Sequence, residues 1–559
     1  MRPVYRIALA LLLAGPLSAP AFAVEPEAPS ALVTRAEAIR IAVQNRLSAK
    51  FKATTEHKTD EQGALVEYYS VPDQKLLWVD ENGLTSRGKA VMDEIKQADD
   101  YGLRATDYEL PDAASFDAGA PTAAEWFADA EILISFAALD YAYDARGGRI
   151  NPQRISRNLD PTLALPNPTE VIESIAIRSD PASYLRSFQP DQPQFEALRQ
   201  KLTELRGGKT KPEPEKVAVT LPEGPTLKHG IKHPQVALLR TRLEVPPDGT
   251  ADEEMFDETV LEAVKQFQSD HGSNADGVVG PGTRRLMNNP NQRQSKGSVG
   301  VRTILLNMER WRWLPHDLGA FYVTVNIPEF ALRVVKDDET IHNARVVVGK
   351  THTQTPIFSN EMRTVVFGPY WNVPNSIKVD EIRPYLRQEA AWFFGGGGWN
   401  TTVLQRHGLH VRYGGREVDP RSIDWNRVDI RNLELLQPPG PGNVLGKVKF
   451  MFPNKHDVYM HDTPQKHLFS RAVRAESHGC MRVQDPDQLA SIIMGHDQGW
   501  NRARTLSALD NSYDQQVPLR QKIPVHITYF TAKVNADGSV STFGDLYGHD
   551  ARMAAALGL

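Results

Sequence analysis

Cys480 is the only cysteine in a chain of 559 residues, so it has no intramolecular disulfide partner. It sits in Ser477-His478-Gly479-Cys480-Met481-Arg482-Val483, two residues after one histidine. A second histidine lies upstream in Tyr459-Met460-His461-Asp462-Thr463-Pro464. A free thiol has a pKa of about 8.5 and is a poor nucleophile until it loses its proton. A nearby imidazole can take that proton, or as imidazolium can hold the thiolate. Ser477 and Gly479 make the approach to Cys480 short and flexible, and consecutive backbone N–H groups there could form an oxyanion hole. The set describes a cysteine nucleophile for acyl transfer.

The strand-like run Val458-Tyr459-Met460-His461 makes His461 the candidate base, with His478 as a second candidate that could polarise a carbonyl or hold the thiolate. Arg482, two residues from Cys480, shares its face on an extended segment. It could bind a substrate carboxylate, or form a structural ion pair with Asp462 or Asp485. An inert core cysteine has no need of these neighbours in this order. His456, His461, His467 and His478 raise metal catalysis as a rival, but no His-Glu-x-x-His or similar spacing is present, so no metal is expected.

A histidine on a strand followed by Ser-His-Gly-Cys-x-Arg resembles the signature of the L,D-transpeptidase family with a YkuD-type catalytic domain. The resemblance implies a mostly-β catalytic domain that takes a peptidoglycan stem tetrapeptide as acyl donor. Cys480 would attack the carbonyl between the third residue and the terminal D-alanine, D-alanine would leave, and the thioester would pass to another stem's side-chain amine, giving a 3→3 cross-link. Water as acceptor would make the protein an L,D-carboxypeptidase, and a degenerate site would leave a wall-binding scaffold. Ser477 could support a histidine or the oxyanion, with Gly479 in the oxyanion backbone, and Tyr459, two before His461, could line the donor site; Trp371 and Asn372 match the family pattern and would on that resemblance contact substrate. No cofactor is implied. Carbapenem-type β-lactams are expected to acylate Cys480.

The elements that must position this chemistry read as a multidomain α+β chain. Arg2 and Arg6, an apolar run from Ile7 to Leu13 and Ala21-Phe22-Ala23 read as a signal peptide over 1–23, hence export to the periplasm and a mature chain without a transmembrane segment. A lone cysteine in an exported protein points to a reactive thiol or an intermolecular bridge. A helical scaffold is expected over 30–206, with Thr85 or Ser86 capping one helix, Gly102 ending it, and a second helix near 130–143. Leu77-Trp78, Tyr101-Gly102-Leu103 and Gly148-Arg149-Ile150-Asn151-Pro152 resemble the scaffold of large YcbB-type L,D-transpeptidases.

A Lys/Pro/Glu-rich linker over 207–228 precedes a small three-helix unit over 229–289. Its Phe267-Gln268 and Asp276-Gly277-x-x-Gly280-x-x-Thr283 pattern resembles a peptidoglycan-binding domain, with Thr283 expected to cap the third helix. A second linker covers 290–300. A helix bearing Leu305, Met308 and Trp311 is expected to pack back on the scaffold. The catalytic domain spans 301–535, with strands near 321–327, 331–335, 344–348, 364–367, 448–452 and 525–530. It is interrupted over about 375–443 by a long insertion expected to be a lid, whose Gly395 to Gly398 could be a hinge. The tail, 536–559, carries no functional reading. The net charge of −5 argues against a nucleic-acid partner. The expected partners are stem peptides and glycan strands, with other wall-synthesis enzymes left open.

Overall fold

The computed structural model describes residues 34–48, 55–72, 74–112, 123–207, 219–243, 245, 252–270, 276–288, 300–386 and 399–559. The expected signal segment, residues 208–218 of the first linker, nearly all of the second, Trp392-Phe393-Phe394 and the glycines Gly395 to Gly398 lie outside the described residues.

The scaffold is helical, built around the long helix Ala123–Ala145, whose Phe127, Ile134, Ala138 and Tyr141 are buried. Its carboxylate Glu131 organises the segment 77–79. It is wholly buried and accepts backbone N–H bonds from Leu77, Trp78 (2.9 Å) and Val79 (3.1 Å) and the Tyr69 hydroxyl (2.6 Å). Burial pushes its pKa up to about 7 against the pull of those donors. Thr85 caps helix Ser86–Lys96 by accepting from Gly88 N–H, as its sequence predicts. Gly102 ends the short turn that follows in a left-handed conformation.

Helix Pro193–Gly207 packs against helix Val301–Arg312, joining Phe195, Leu198 and Leu202 to Ile304, Leu305 and Met308. The chain between these two helices holds the small domain, with helices Pro234–Arg242, Glu258–Asp270 and Pro281–Asn288 around its own core. Two details differ from expectation. The end of the expected linker is part of this domain, because Leu221 and Leu227 are buried in its core and Leu227 bridges to Val279. Thr283 does not cap the third helix, which begins two residues earlier at Pro281, where a proline needs no N–H partner. Instead its hydroxyl donates to Val278 O (3.0 Å). Buried Gln268 donates to Asp276, Val278 O and Thr283 and accepts Gly277 N–H, so the sequence pattern here is a glutamine-centred hydrogen-bond network.

The catalytic half is a nine-stranded sheet. We label its strands β1 (Phe321–Asn326), β2 (Ala331–Lys336), β3 (Glu339–Gly349), β4 (Phe358–Phe367), β5 (Val448–Met451), β6 (Met460–His461), β7 (Ala475–Ser477), β8 (Met481–Val483) and β9 (Gln515–Thr528). Their order is β7-β3-β8-β6-β5-β4-β9-β1-β2, and β2 pairs back onto β3, so the sheet closes on itself. Inward side chains such as Val323, Val325, Val346, Val365, Phe450, Met460 and Met481 fill the interior.

Between β4 and β5 the insertion is a folded subdomain. Strand Trp371–Asn372 pairs with Glu434–Gln437, which pairs with His410–Tyr413 and through it Arg416–Glu417. Val373, Leu404, Val411, Trp425, Ile430 and Leu435 form its core. It therefore begins at Trp371, a few residues before the expected boundary.

The expected tail is not a tail. Strands Ala532–Val534 and Val540–Thr542 form a hairpin, and helix His549–Leu557 buries Met553, Ala554 and Leu557 in the main core. Buried Tyr547 donates to Gly349 O (2.7 Å) and accepts Thr355 N–H (3.2 Å). Removing that hydroxyl leaves a buried amide and carbonyl unpaired. Tyr547→Phe is expected to lower unfolding stability by about 1–3 kcal/mol, read as a lower urea midpoint at unchanged slope; an unchanged midpoint would contradict the bracing role.

Candidate active site

Strand register assembles the site. β6 and β8 run parallel with Met460 opposite Met481 and His461 opposite Arg482. Side chains alternate across a sheet with period two. Both methionines are fully buried in the core, so Tyr459, His461, Cys480 and Arg482 all project to the other face. On the next strand Lys449 lies directly opposite His461 and joins them. His461 lies opposite Arg482, two residues after Cys480, so the imidazole and the thiol are offset by two positions along adjacent segments of one face.

His461 is 5% exposed, and its Nδ1–H donates to Asp462 O at 2.5 Å. That bond fixes the tautomer and leaves Nε2 as the lone-pair nitrogen. Burial, aided by the Arg482 and Lys449 charges, pushes its pKa down to about 3. The Cys480 thiol is half-buried, with Sγ 3.9 Å from Asp457 O. Burial pushes its pKa up to about 11, against the opposing pull of Tyr459, Lys449 and Arg482. The resting pair is therefore thiol and neutral imidazole, which suits a general base and not a preformed ion pair.

The turn carrying the thiol is braced from below. Ser477, 2% exposed, donates to Cys480 O (2.6 Å) and accepts Gly479 N–H (3.2 Å). Gly479 adopts φ 112°, where a side chain is strained, and its carbonyl accepts the Thr355 hydroxyl (2.8 Å). Met481 N–H donates to Tyr459 O. The Cys480 N–H is left without a partner among the described residues, available to a developing oxyanion. Ser477 and the Gly479 amide are thus occupied with each other, and neither expected oxyanion contact is free.

Arg482 donates to Gln465 Oε1 (2.6 Å) and makes no ion pair among the described residues. The expected pairing with Asp462 or Asp485 is not formed: Asp462 holds Lys466 (2.5 Å) and two backbone amides, and Asp485 precedes helix Pro486–Gln498 in a left-handed turn. His478 pairs with Glu381 of the inserted subdomain. Trp371 packs on the lid core and Asn372 is exposed. Neither has a hydrogen bond or ring contact with the Cys480 group among the described residues.

Lys449 escaped the sequence reading. Its ammonium lies 3.8 Å from the centre of the Tyr459 ring, and burial lowers its pKa while Cys480 opposes the shift. The signal was present in Val448-Lys449-Phe450-Met451, where one lysine interrupts an apolar strand on the face shared with His461. In the scaffold, His57, Glu61 and Asp140 gather three ligand-type groups, but the Lys58 ammonium contacts both acids (3.0 Å to Glu61) and supplies the cation there.

Residues 320–513 match the YkuD family model, described as an L,D-transpeptidase catalytic domain. Residues 63–202 match a scaffold domain, and residues 232–287 match a domain described as "Putative peptidoglycan binding domain". A curated Haemophilus influenzae protein named "Putative L,D-transpeptidase" is 31% identical over 256 residues, 46% of this chain and 50% of its own length. The chain thus spans about half the length of that relative. Among solved structures, an L,D-transpeptidase from Xylanimonas cellulosilytica aligns at 13% identity over 55% of this chain and 99% of its own, with TM-score 0.16. A fused Zn-dependent amidase/peptidase/peptidoglycan-binding protein from Clostridium acetobutylicum aligns at 11% over 55% and 100%, with TM-score 0.13. Neither structural likeness carries weight at those scores.

Three outcomes follow from the charges. The thiol–imidazole form persists between the two pKa values, so activity should show no ionisation between pH 5 and 9, and a bell centred near neutrality would show an ion pair instead. The unfolded chain protonates His461 below about pH 6.5, whereas the folded chain resists until about 3. Stability is therefore lost as pH falls through that window, and His461→Asn should flatten the slope in acid denaturation. Lys449→Met removes a cation that favours the thiolate. Alkylation of Cys480 by iodoacetamide should then shift to higher pH by about one unit; an unshifted profile would remove Lys449 from the site.

Proposed function

We propose that this chain, which carries an L,D-transpeptidase catalytic domain of the YkuD family and a peptidoglycan-binding domain, is an exported peptidoglycan L,D-transpeptidase acting in the periplasm. The observation that supports it most is the single sheet face shared by Cys480, His461 and Arg482, with the Cys480 amide unpaired beside the thiol. No described helix is long and apolar enough to cross a membrane.

In the proposed reaction His461 Nε2 takes the Cys480 proton as Sγ attacks the carbonyl carbon joining the stem's third residue to D-alanine. The Cys480 N–H stabilises the oxyanion. The C–N bond breaks, His461 returns the proton to the departing amine, and a thioester remains. An acceptor amine then attacks that carbonyl, giving its proton to His461, which hands it back to the sulfur. The product is a 3→3 cross-link; water in place of the amine yields a tripeptide. Arg482, with no ion pair among the described residues, would hold a stem carboxylate. The small domain would keep the enzyme on the glycan. Carbapenem-type β-lactams would acylate the same sulfur.

The test is incubation of the purified chain with disaccharide-tetrapeptide, followed by mass spectrometry, beside Cys480→Ala. A cross-linked dimer lacking one D-alanine, absent with the variant, is the expected product. Tripeptide alone would make the protein a carboxypeptidase. No product from either folded protein would leave a wall-binding scaffold.

A further inference from the structure

A second cationic site stands on the same face of the sheet, outside the catalytic group. Arg345 on β3 is two residues from Val347, which pairs with Arg482. By alternation it shares the Arg482 face, and Gln484 N–H donates to its carbonyl (2.9 Å). Arg474, at the foot of β7, lies beside it. The two border a cavity of about 340 Å³, with Phe330, Asn343 and Gln484 among the other walls. That is room for a small organic group.

The cavity is charged and built. Neither Arg345 nor Arg474 makes an ion pair among the described residues. The only acid lining the cavity, Glu329, is paired with Arg333 (2.8 Å). Arg345 donates to Phe469 O (3.2 Å). Arg474 donates to Arg471 O (2.8 Å) and Phe330 O (3.3 Å) and lies 5.1 Å from the centre of the Phe330 ring. Phe330 holds a left-handed φ of 54° to present that carbonyl, a conformation unusual for a bulky side chain. The guanidinium is thus fixed in orientation, yet its buried Nε has no partner. Burial first, and then the adjacent Arg345 charge, lower its pKa to about 10.

We propose that the Arg345–Arg474 cavity is an anion subsite that takes a stem-peptide carboxylate remote from the bond being cleaved. Fixed guanidinium groups match the planar, two-oxygen geometry of a carboxylate. The spacing fits. Arg345 is four residues along β3 from Gly349, which pairs with Ser477 beside the nucleophile's turn. Four residues of strand span about 13 Å, the length of an extended tetrapeptide, about 14 Å. The short helix Lys466–Ser470 carries Leu468 and Phe469 onto Val347 and separates the cavity from the Arg482–Gln465 pair, making it a distinct subsite. The substrate assignment rests on the transpeptidase reading above; the charge, cavity and geometry do not.

The test compares the full chain with Arg345→Gln, and with Arg345→Gln combined with Arg474→Gln, in two arms: D-alanine release from disaccharide-tetrapeptide, and cross-linking. The double variant should raise KM about tenfold at unchanged kcat. A rise in both arms places the carboxylate on the donor; a rise in cross-linking alone places it on the acceptor. Amidating the stem carboxylates should weaken wild type similarly and leave the double variant little changed. Binding of disaccharide-tetrapeptide to Cys480→Ala, with and without Arg345→Gln, gives a readout independent of turnover, and Arg345 is exposed enough to replace without disturbing the fold. Unchanged KM in both arms, with unchanged binding, overturns the subsite. Absence of turnover in wild type with charge-dependent binding overturns the transpeptidase reading and keeps the subsite.

Discussion

The parallel pairing of two very short strands is the constraint on which the site depends. Met460 faces Met481 and His461 faces Arg482. Because side chains alternate with period two, a one-residue slip would drive His461 into the core and expose the methionines. The slip is opposed by burial: both methionines are wholly enclosed, and fully burying one such side chain is worth about 1.5–3 kcal/mol. Hydrophobic packing on one face thereby selects the chemistry on the other. Closure of the sheet through the β2–β3 pairing adds to this, since both site strands lie in its interior.

Beneath the nucleophile the chain invests in backbone geometry. Thr355 donates its hydroxyl to Gly479 O and its amide to Tyr547, whose own hydroxyl reaches Gly349. Gly349 tolerates no side chain, since a Cβ there would lie 2.1 Å from Thr353 O. The last residues of the chain therefore support the turn that bears Cys480. Ser477 closes that turn from the inside. Its bonds fix where the Cys480 amide points, and in the proposed reaction the oxyanion would be served through that amide.

What was legible in the sequence follows from range. The main strands and helices announced themselves because periodicity and turn residues are local, and the Cys480 motif because its residues are contiguous. Thr85 was readable as a cap for the same reason. Contacts across long separations were not. Nothing in the alanine-rich end shows that Tyr547 reaches Gly349. Thr283 looked like a cap because its role, a bond to Val278 O within a network centred on Gln268, depends on a loop brought to it by folding. Lys449 was missed because a single lysine in an apolar strand acquires meaning only when pairing places it opposite His461. The lid boundary slipped because Trp371–Asn372 is a two-residue strand, defined by its partner Glu434–Gln437 and not by its own pattern.

The electrostatics of the site set two effects against each other, and burial prevails. Lys449 and Arg482 both favour a thiolate, yet the thiol is held protonated to about 11. The same two cations, with burial, hold His461 neutral. A cationic surround therefore does not create a thiolate here; it keeps the imidazole unprotonated and ready to accept. In the proposed reaction an incoming carbonyl would change the balance, because the charge developing on its oxygen would lie within a field already arranged for an anion. In that reaction the cations would stabilise the transition state as well as setting the charge of the resting pair. The His478–Glu381 pair joins the residue two before Cys480 to the inserted subdomain.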